Sequence, residues 1–274
     1  SDSNLSGTFE TVVLPTLPSG LFWDVSYAAN AVTISITDVG AKLIYNTDFI
    51  ISSATSTSVL VFTPSEEDDI QAIHFDNDGS NLFLSGFENH NLYRYGLSTA
   101  FDISTATTGV SEISFSSGAG DGLLFNEDGT VVYLFRGTLI WNYQLTTPYD
   151  IATATFSGIT SLGISNEAAL FNDTGEILYI MTRAGSITAH TLTTPYDPST
   201  ISAQVEALNV SSRGNSYQSM LFNDTGTLLY LFDAQDPADI EIDQYVLTNP
   251  YDISSAIFDR VAQNISSAGA LPRT

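Results

Sequence analysis

The sequence predicts an all-β chain assembled from repeated four-stranded units. Two linked phrases carry that expectation. Leu-Phe-Asn-Glu-Asp-Gly at 124–129 returns as Leu-Phe-Asn-Asp-Thr-Gly at 170–175 and at 221–226, and an earlier copy at 74–79 reads His-Phe-Asp-Asn-Asp-Gly. A second phrase follows each one. Leu-Thr-Thr-Pro-Tyr-Asp at 145–150 matches 192–197, Leu-Thr-Asn-Pro-Tyr-Asp at 247–252 and Leu-Ser-Thr-Ala-Phe-Asp at 97–102. The anchors Phe75, Phe125, Phe171 and Phe222 recur roughly every 50 residues, the length of one four-stranded propeller blade. Helical repeats of that length need a 3.6-residue periodicity that is not visible here.

One period shows why each element is read as a strand. Gly122–Asn126 is an apolar run ending in a turn, and Val131–Phe135 is β-branched and aromatic. Leu139–Leu145 carries Ile140, Trp141 and Tyr143, and Ala152–Leu162 is rich in Thr and Ile. Glu-Asp-Gly, Arg-Gly and Thr-Thr-Pro-Tyr-Asp separate the four. The glycines stand where a tight turn needs positive φ. Pro148, Pro195 and Pro250 fall between strands, where a missing N–H costs nothing.

A weaker copy lies upstream. The segment 45–55 aligns with 143–155 after a two-residue deletion, so that Phe49 takes the place of Tyr149. Its first strand is expected at Gly20–Tyr27. The expectation is therefore a β-propeller of five blades, about 20–69, 70–118, 119–163, 164–214 and 215–268, with four or six as alternatives. Residues 1–19 lie outside the blades and 269–274 form a tail. Thr8–Leu14 alternates as a strand that either closes the ring or pairs with a neighbouring subunit.

The Phe-Asn-x-x-Gly and Thr-Thr-Pro-Tyr-Asp-Ile phrases resemble YVTN-like propeller repeats of secreted bacterial proteins and of phage and virus-particle proteins, over roughly 70–260. That resemblance implies binding or display and carries no shared catalytic residue. Residues 7–36, with Phe9-Glu-Thr-Val-Val-Leu-Pro, resemble the segment that ends β-solenoid regions in autotransporter-type passengers. It implies a piece of a longer surface protein and competes with the blade for residues 20–36.

Composition bounds the rest. The chain has 274 residues, 13 Tyr and 16 Phe, enough to bury a sizeable core. With no cysteine, disulfides and thiolate metal sites are excluded. The chain begins at Ser1 rather than Met, so a removed signal peptide, propeptide or tag is expected. The net charge is −24 and Lys42 is the only lysine, which argues against nucleic acid and anionic membranes. No apolar stretch is long enough for a membrane-spanning helix. Such acidity suits a saline extracellular setting, where screening relieves self-repulsion.

Carboxylates are the candidate ligands. Asp76 and Asp78, Asn126 and Asp128, Asn172 and Asp173, and Asn223 and Asp224 recur once per blade, and read as turns in which the side chain bonds its own backbone. The acidic loops that break the repeat are better candidates for calcium. These are Glu66, Glu67, Asp68 and Asp69, and Asp233, Asp236 and Asp239. No cofactor is required by the sequence, and calcium is the one ion it suggests.

The aromatics Tyr93, Tyr95, Trp141, Tyr143 and Tyr245 are read as packing between blades. Phe101, Tyr149, Tyr196 and Tyr251 are read as blade-corner residues. His74, His90 and His190 are not grouped for zinc, and no Gly-x-Ser-x-Gly elbow is present.

The functional expectation is a noncatalytic propeller at an extracellular, cell or virion surface. It would serve adhesion, display or binding of a glycan or surface protein. The alternatives are a subunit of a filament or surface assembly joined by N-terminal strand addition, and a secreted carbohydrate-active enzyme. The last rests on fold analogy with five-bladed glycosidases that use paired carboxylates.

Overall fold

The structure is a computed structural model, and it describes residues 21–28, 31–38, 70–86, 91–107, 111–114, 122–236 and 239–264. The chain divides into two compact units, Ser1–Ile51 and Ser52–Thr274. In the first, β1 (Leu21–Ala28) and β2 (Ala31–Asp38) form an antiparallel hairpin running in register from Leu21 opposite Asp38 to Ala28 opposite Ala31.

The second unit holds four antiparallel sheets in chain order. The first sheet comprises β3 (Ile70–Phe75), β4 (Asn81–Gly86), β5 (Asn91–Gly96) and β6 (Ser111–Ser114). The second comprises β7 (Gly122–Phe125), β8 (Val131–Leu145) and β9 (Ala154–Asn166). The third comprises β10 (Ala168–Phe171), β11 (Ile177–Met181), β12 (Ser186–Leu192) and β13 (Ile201–Asn209). The fourth comprises β14 (Tyr217–Phe222), β15 (Leu228–Asp236), β16 (Asp239–Leu247) and β17 (Ala256–Asn264).

The second sheet is four-stranded in substance. Leu145 N donates to Thr130 O at 2.7 Å. The same bond closes the ladder between the second and third strands of the other sheets, from Leu97 to Ser80, Leu192 to Glu176 and Leu247 to Thr227. The strand β8 therefore folds back on itself near Gly137, whose φ is 57°, and supplies both middle strands.

These sheets are the blades of a four-bladed β-propeller. Their first strands lie against one another in sequence, β3 on β7, β7 on β10 and β10 on β14. Four, the lower of the alternative counts, replaces the preferred five. Within 20–69 the structure describes only the hairpin β1–β2, and the upstream copy lacks the Phe-Asn-x-x-Gly phrase that opens a blade. Thr8–Leu14 and the tail 269–274 lie outside the described residues.

The second strands explain the uninterrupted apolar runs. In β8, Val132 and Leu134 pack with Phe83 and Leu92 of the preceding blade, while Tyr133 and Phe135 pack with Leu178 and Ile180 of the next. In β11, Tyr179 and Met181 meet Tyr217, Leu229 and Leu231 of the fourth blade. A strand buried on both faces must be apolar at every position rather than at alternate ones.

The turn between first and second strands is the expected Asx-type turn. The side-chain oxygens of Asn126, Asn172 and Asn223 accept from Val131 N, Ile177 N and Leu228 N at 2.8, 2.9 and 2.9 Å, and Asp76 accepts from Asn81 N at 3.0 Å. The recurrent Asn and Asp residues are thus turn formers. Tyr93, Tyr95, Tyr143 and Tyr245 are buried, in agreement with a packing role.

Candidate functional site

The third connection of each blade, from third strand to fourth, builds a corner, and in the last three blades it faces the blade before it. Tyr149, Tyr196 and Tyr251, with Phe101, adopt φ between 57° and 62°. Each ring lies on the turn glycine of its own blade. A Cβ placed on Gly129, Gly175 or Gly226 would stand 2.3 Å from the tyrosine ring. The following aspartate caps a single 3-10 turn. Asp150 accepts from Ala152 N at 3.3 Å, Asp197 from Ser199 N at 3.0 Å and Asp252 from Ser254 N at 3.0 Å.

The preceding blade grips the corner through its carbonyl. Tyr133 OH donates to Tyr196 O, and Tyr179 OH donates to Tyr251 O at 2.5 Å. The first blade has Phe83 where these tyrosines stand, and Arg94 Nη1 supplies the donor to Tyr149 O instead, at 3.3 Å. Burial raises the phenol pKa of Tyr133 and Tyr179, so both stay protonated as donors at physiological pH.

Three clefts between successive blades are described, and they differ at one cross-strand pair. The repeat aligns Arg94, Asn142 and Ala189 on the third strands. Their partners on the fourth strands are Ser111, Gly158 and Glu206. In the first cleft Arg94 reaches the corner and pairs with Asp150 at 3.1 Å. In the third, Glu206 Oε2 accepts from Ile253 N at 2.9 Å. Burial, and then the neighbouring Asp252, pushes the Glu206 carboxyl above the ordinary glutamate range.

The second cleft has no long side chain at this pair, because asparagine faces glycine. The result is a groove of about 520 Å³. Asn142, Gln144, Gly158 and Thr160 form one wall and Pro195, Tyr196, Asp197, Pro198 and Ser199 the other. Asn126, Val131, Tyr133, Ser157 and Ile159 complete it. Asn142 Nδ2 donates to Thr160 Oγ1 at 3.2 Å. Its Oδ1 is buried and finds no hydrogen-bond partner. A buried acceptor left unmade costs roughly 1–3 kcal/mol, so the Asn142 amide would gain from turning toward a donor in the groove. Asp197 is the one carboxylate in the lining, and no Lys, Arg or His contributes.

Of the carboxylates expected to hold calcium, Asp233, Asp236 and Asp239 lie elsewhere, on β15 and β16. Asp233 sits on β15 opposite Tyr217 on one side and Glu241 on the other, and Asp236 pairs with Asp239 at the end of the β15–β16 hairpin. The side chains of Asp236 and Asp239, and the whole of Glu66, Glu67, Asp68 and Asp69, lie outside the described residues. Among the described residues no group of three acidic, histidine or cysteine side chains could hold a metal ion. Of the histidines, His74 stacks on Phe125 at 5.3 Å, His190 is buried against Thr188 and Ser202, and His90 is outside the described residues.

Arg94, Asn142, Gly158 and Glu206 were not singled out by sequence reasoning. Registering the four repeats on Leu97, Leu145, Leu192 and Leu247 exposes the variable third-strand position, three residues before each leucine. Its fourth-strand partner is hidden, because a register shift between Asn142 and Tyr143 displaces the pairing.

No family model matches the chain, and no curated protein sequence matches it. Solved structures of similar fold exist. The β-propeller domain of Cps50 (Swd1) from Myceliophteria thermophila is 11% identical with a TM-score of 0.46, covering 85% of this chain and 66% of its own. The periplasmic gluconolactonase PpgL of Pseudomonas aeruginosa is 15% identical with a TM-score of 0.42, covering 71% of this chain and 53% of its own. A candidate 6-phosphogluconolactonase of Bacteroides fragilis NCTC 9343 is 14% identical with a TM-score of 0.42, covering 69% and 52%. This chain thus spans about half the length of the two lactonase-type propellers. The likeness is one of fold.

These findings correct the functional expectation. Propellers of similar fold include lactonase-type proteins, so the repeat does not by itself imply a noncatalytic role in adhesion or display. Nothing in the comparisons supports a surface, virus-particle or autotransporter relationship; they support the β-propeller alone.

Proposed function

We propose that the chain is a small-ligand-binding propeller whose site is the groove between its second and third blades, and that the ligand is polar and uncharged or cationic. The observation that supports this reading is the missing side chain at the Asn142–Gly158 pair, where the neighbouring clefts are filled by Arg94 and Glu206. Loss of a plug in one copy of a repeat leaves a polar cavity at a site whose framework the other copies keep. The lining favours neutral or positive groups. Its one charge is Asp197, and the net charge of −24 adds to the repulsion of anions.

Asp197 Oδ1 accepts from both Ser199 N and Ser199 Oγ at 3.0 and 2.6 Å, and no second carboxylate stands opposite it in the groove. Binding by hydrogen bonds is what the lining can do.

The test is a thermal-shift screen with arginine methyl ester, glucose, glucono-δ-lactone and 6-phosphogluconate on the whole chain and on Asn142→Arg, which rebuilds the plug of the first cleft. The expected result is a rise in Tm with at least one neutral or cationic compound that disappears in Asn142→Arg, and none with 6-phosphogluconate. A response that persists in Asn142→Arg would place binding elsewhere and overturn the reading.

A further inference from the structure

We infer that the groove recognises a guanidinium group, an arginine side chain or a small guanidino compound, and that Arg94 shows its mode of binding. The inference deepens the proposed function and rests on the same groove. In the first cleft the Arg94 guanidinium meets two acceptors on the next blade's corner, Tyr149 O at 3.3 Å and Asp150 Oδ1 at 3.1 Å. Tyr196 and Asp197 are the same two residues of the repeat one blade later. They line the groove, held by the same corner: the ring on the turn glycine, the aspartate capping its 3-10 turn. What differs is the cation, replaced by Asn142, and two added hydroxyls: Tyr133 OH, in place of Phe83, donates to Tyr196 O, and Ser199 Oγ, in place of Ala152, donates to Asp197 Oδ1 at 2.6 Å, which leaves Asp197 Oδ2 to a guest.

The second cleft therefore keeps the receptor half of an arginine site and lacks the arginine. Tyr196 O accepts from Tyr133 OH, and a carbonyl has a second lone pair for an incoming N–H. Asn142 Oδ1 is buried without a partner, and a turn of its amide toward the groove would give a guest an acceptor that the first cleft does not have. A guanidinium presents five donors in a planar fork and suits three acceptors from two walls. Ile159, Pro195 and Pro198 offer apolar surface to an alkyl stem. The third cleft meets the same corner in a different way. There Glu206 accepts from the Ile253 backbone N–H and no cation stands at the aligned position, Ala189.

The experiment is an amide-resolved NMR titration of the whole chain with arginine methyl ester and with citrulline methyl ester, its neutral isostere. The ester removes a carboxylate that this acidic protein would repel. Arginine is expected to bind about 10-fold more tightly than citrulline, the ratio that a charge-assisted hydrogen bond supplies. Shifts should centre on Ser157–Thr160 and Tyr196–Ser199, and rising salt should weaken them. In Asp197→Asn, which keeps the capping oxygen, the preference should collapse while the fold persists. In Asn142→Arg, binding should vanish. An acetylated Gly-Arg-Gly amide, run beside the ester, tells a peptide side chain from a free small molecule by which binds more tightly. Equal binding of citrulline and arginine would overturn the guanidinium inference and leave the groove standing. Shifts elsewhere, or none with either compound, would overturn it as well, and a response to glucose or glucono-δ-lactone alone that Asn142→Arg removes would keep the groove.

Discussion

His74 contributes to the pH response of the first blade. Its ring stacks on Phe125, and burial lowers its pKa from 6.5 to about 4, with Asp76 opposing the shift. The folded chain therefore holds His74 neutral where the unfolded chain would take up a proton. Its contribution is fully present above pH 6.5 and is lost as pH falls through that window toward about 4. Thermal melts from pH 7.5 to 4 should show stability falling below pH 6.5, and His74→Phe should flatten that part of the curve. A wild-type slope that the variant keeps would assign the loss to other groups.

At the scale of the element, the corner is the most constrained part of each blade. A tyrosine at positive φ lies on a glycine at positive φ, and neither can change alone. At Gly175, φ is 68° and a Cβ would meet the Tyr196 ring at 2.3 Å, so Gly175→Ala should cost about 2 kcal/mol or more, combining left-handed strain with a displaced ring. The measurement is chemical denaturation. Because Tyr196 forms one wall of the groove, the same variant should weaken ligand binding. The corner was legible in the sequence as a repeated phrase, since local backbone chemistry writes itself into adjacent residues. The groove was not. It depends on Asn142 facing Gly158 across a ladder whose register shifts one residue later, and that pairing joins positions with no local signature. The acidic loops drew attention because charge runs are conspicuous, although Asp233 stands on β15 at the far end of the fourth blade's hairpin.

Over the whole molecule, the net charge of −24 sets the response to salt. Like charges repel most in the compact state, so added NaCl should raise Tm until screening is complete, near about 0.15–0.5 M. Calcium at matched ionic strength separates screening from coordination. A further rise that Asp233→Asn removes would support the calcium site expected from Asp233, Asp236 and Asp239. No rise beyond matched NaCl would end that expectation. The architecture itself was readable because four copies of two phrases impose one supersecondary unit four times. The count was misjudged where the copy decays: similarity between 45–55 and 143–155 suggested a blade without the Phe-Asn-x-x-Gly turn that opens one.

The fastening between blades has a genetic consequence. Each of the last three periods brings a corner carbonyl to be gripped, at Tyr149, Tyr196 or Tyr251, and the middle blades also bring the hydroxyl that grips the next, at Tyr133 or Tyr179. A duplicated stretch of DNA encoding one such period would arrive able to dock on both neighbours with no compensating change. The first blade, with Phe83 and Arg94 in place of the tyrosine, shows that one copy can then drift to a different clasp. In the second cleft the hydroxyl alone secures the joint, and no plug stands where the first cleft holds Arg94.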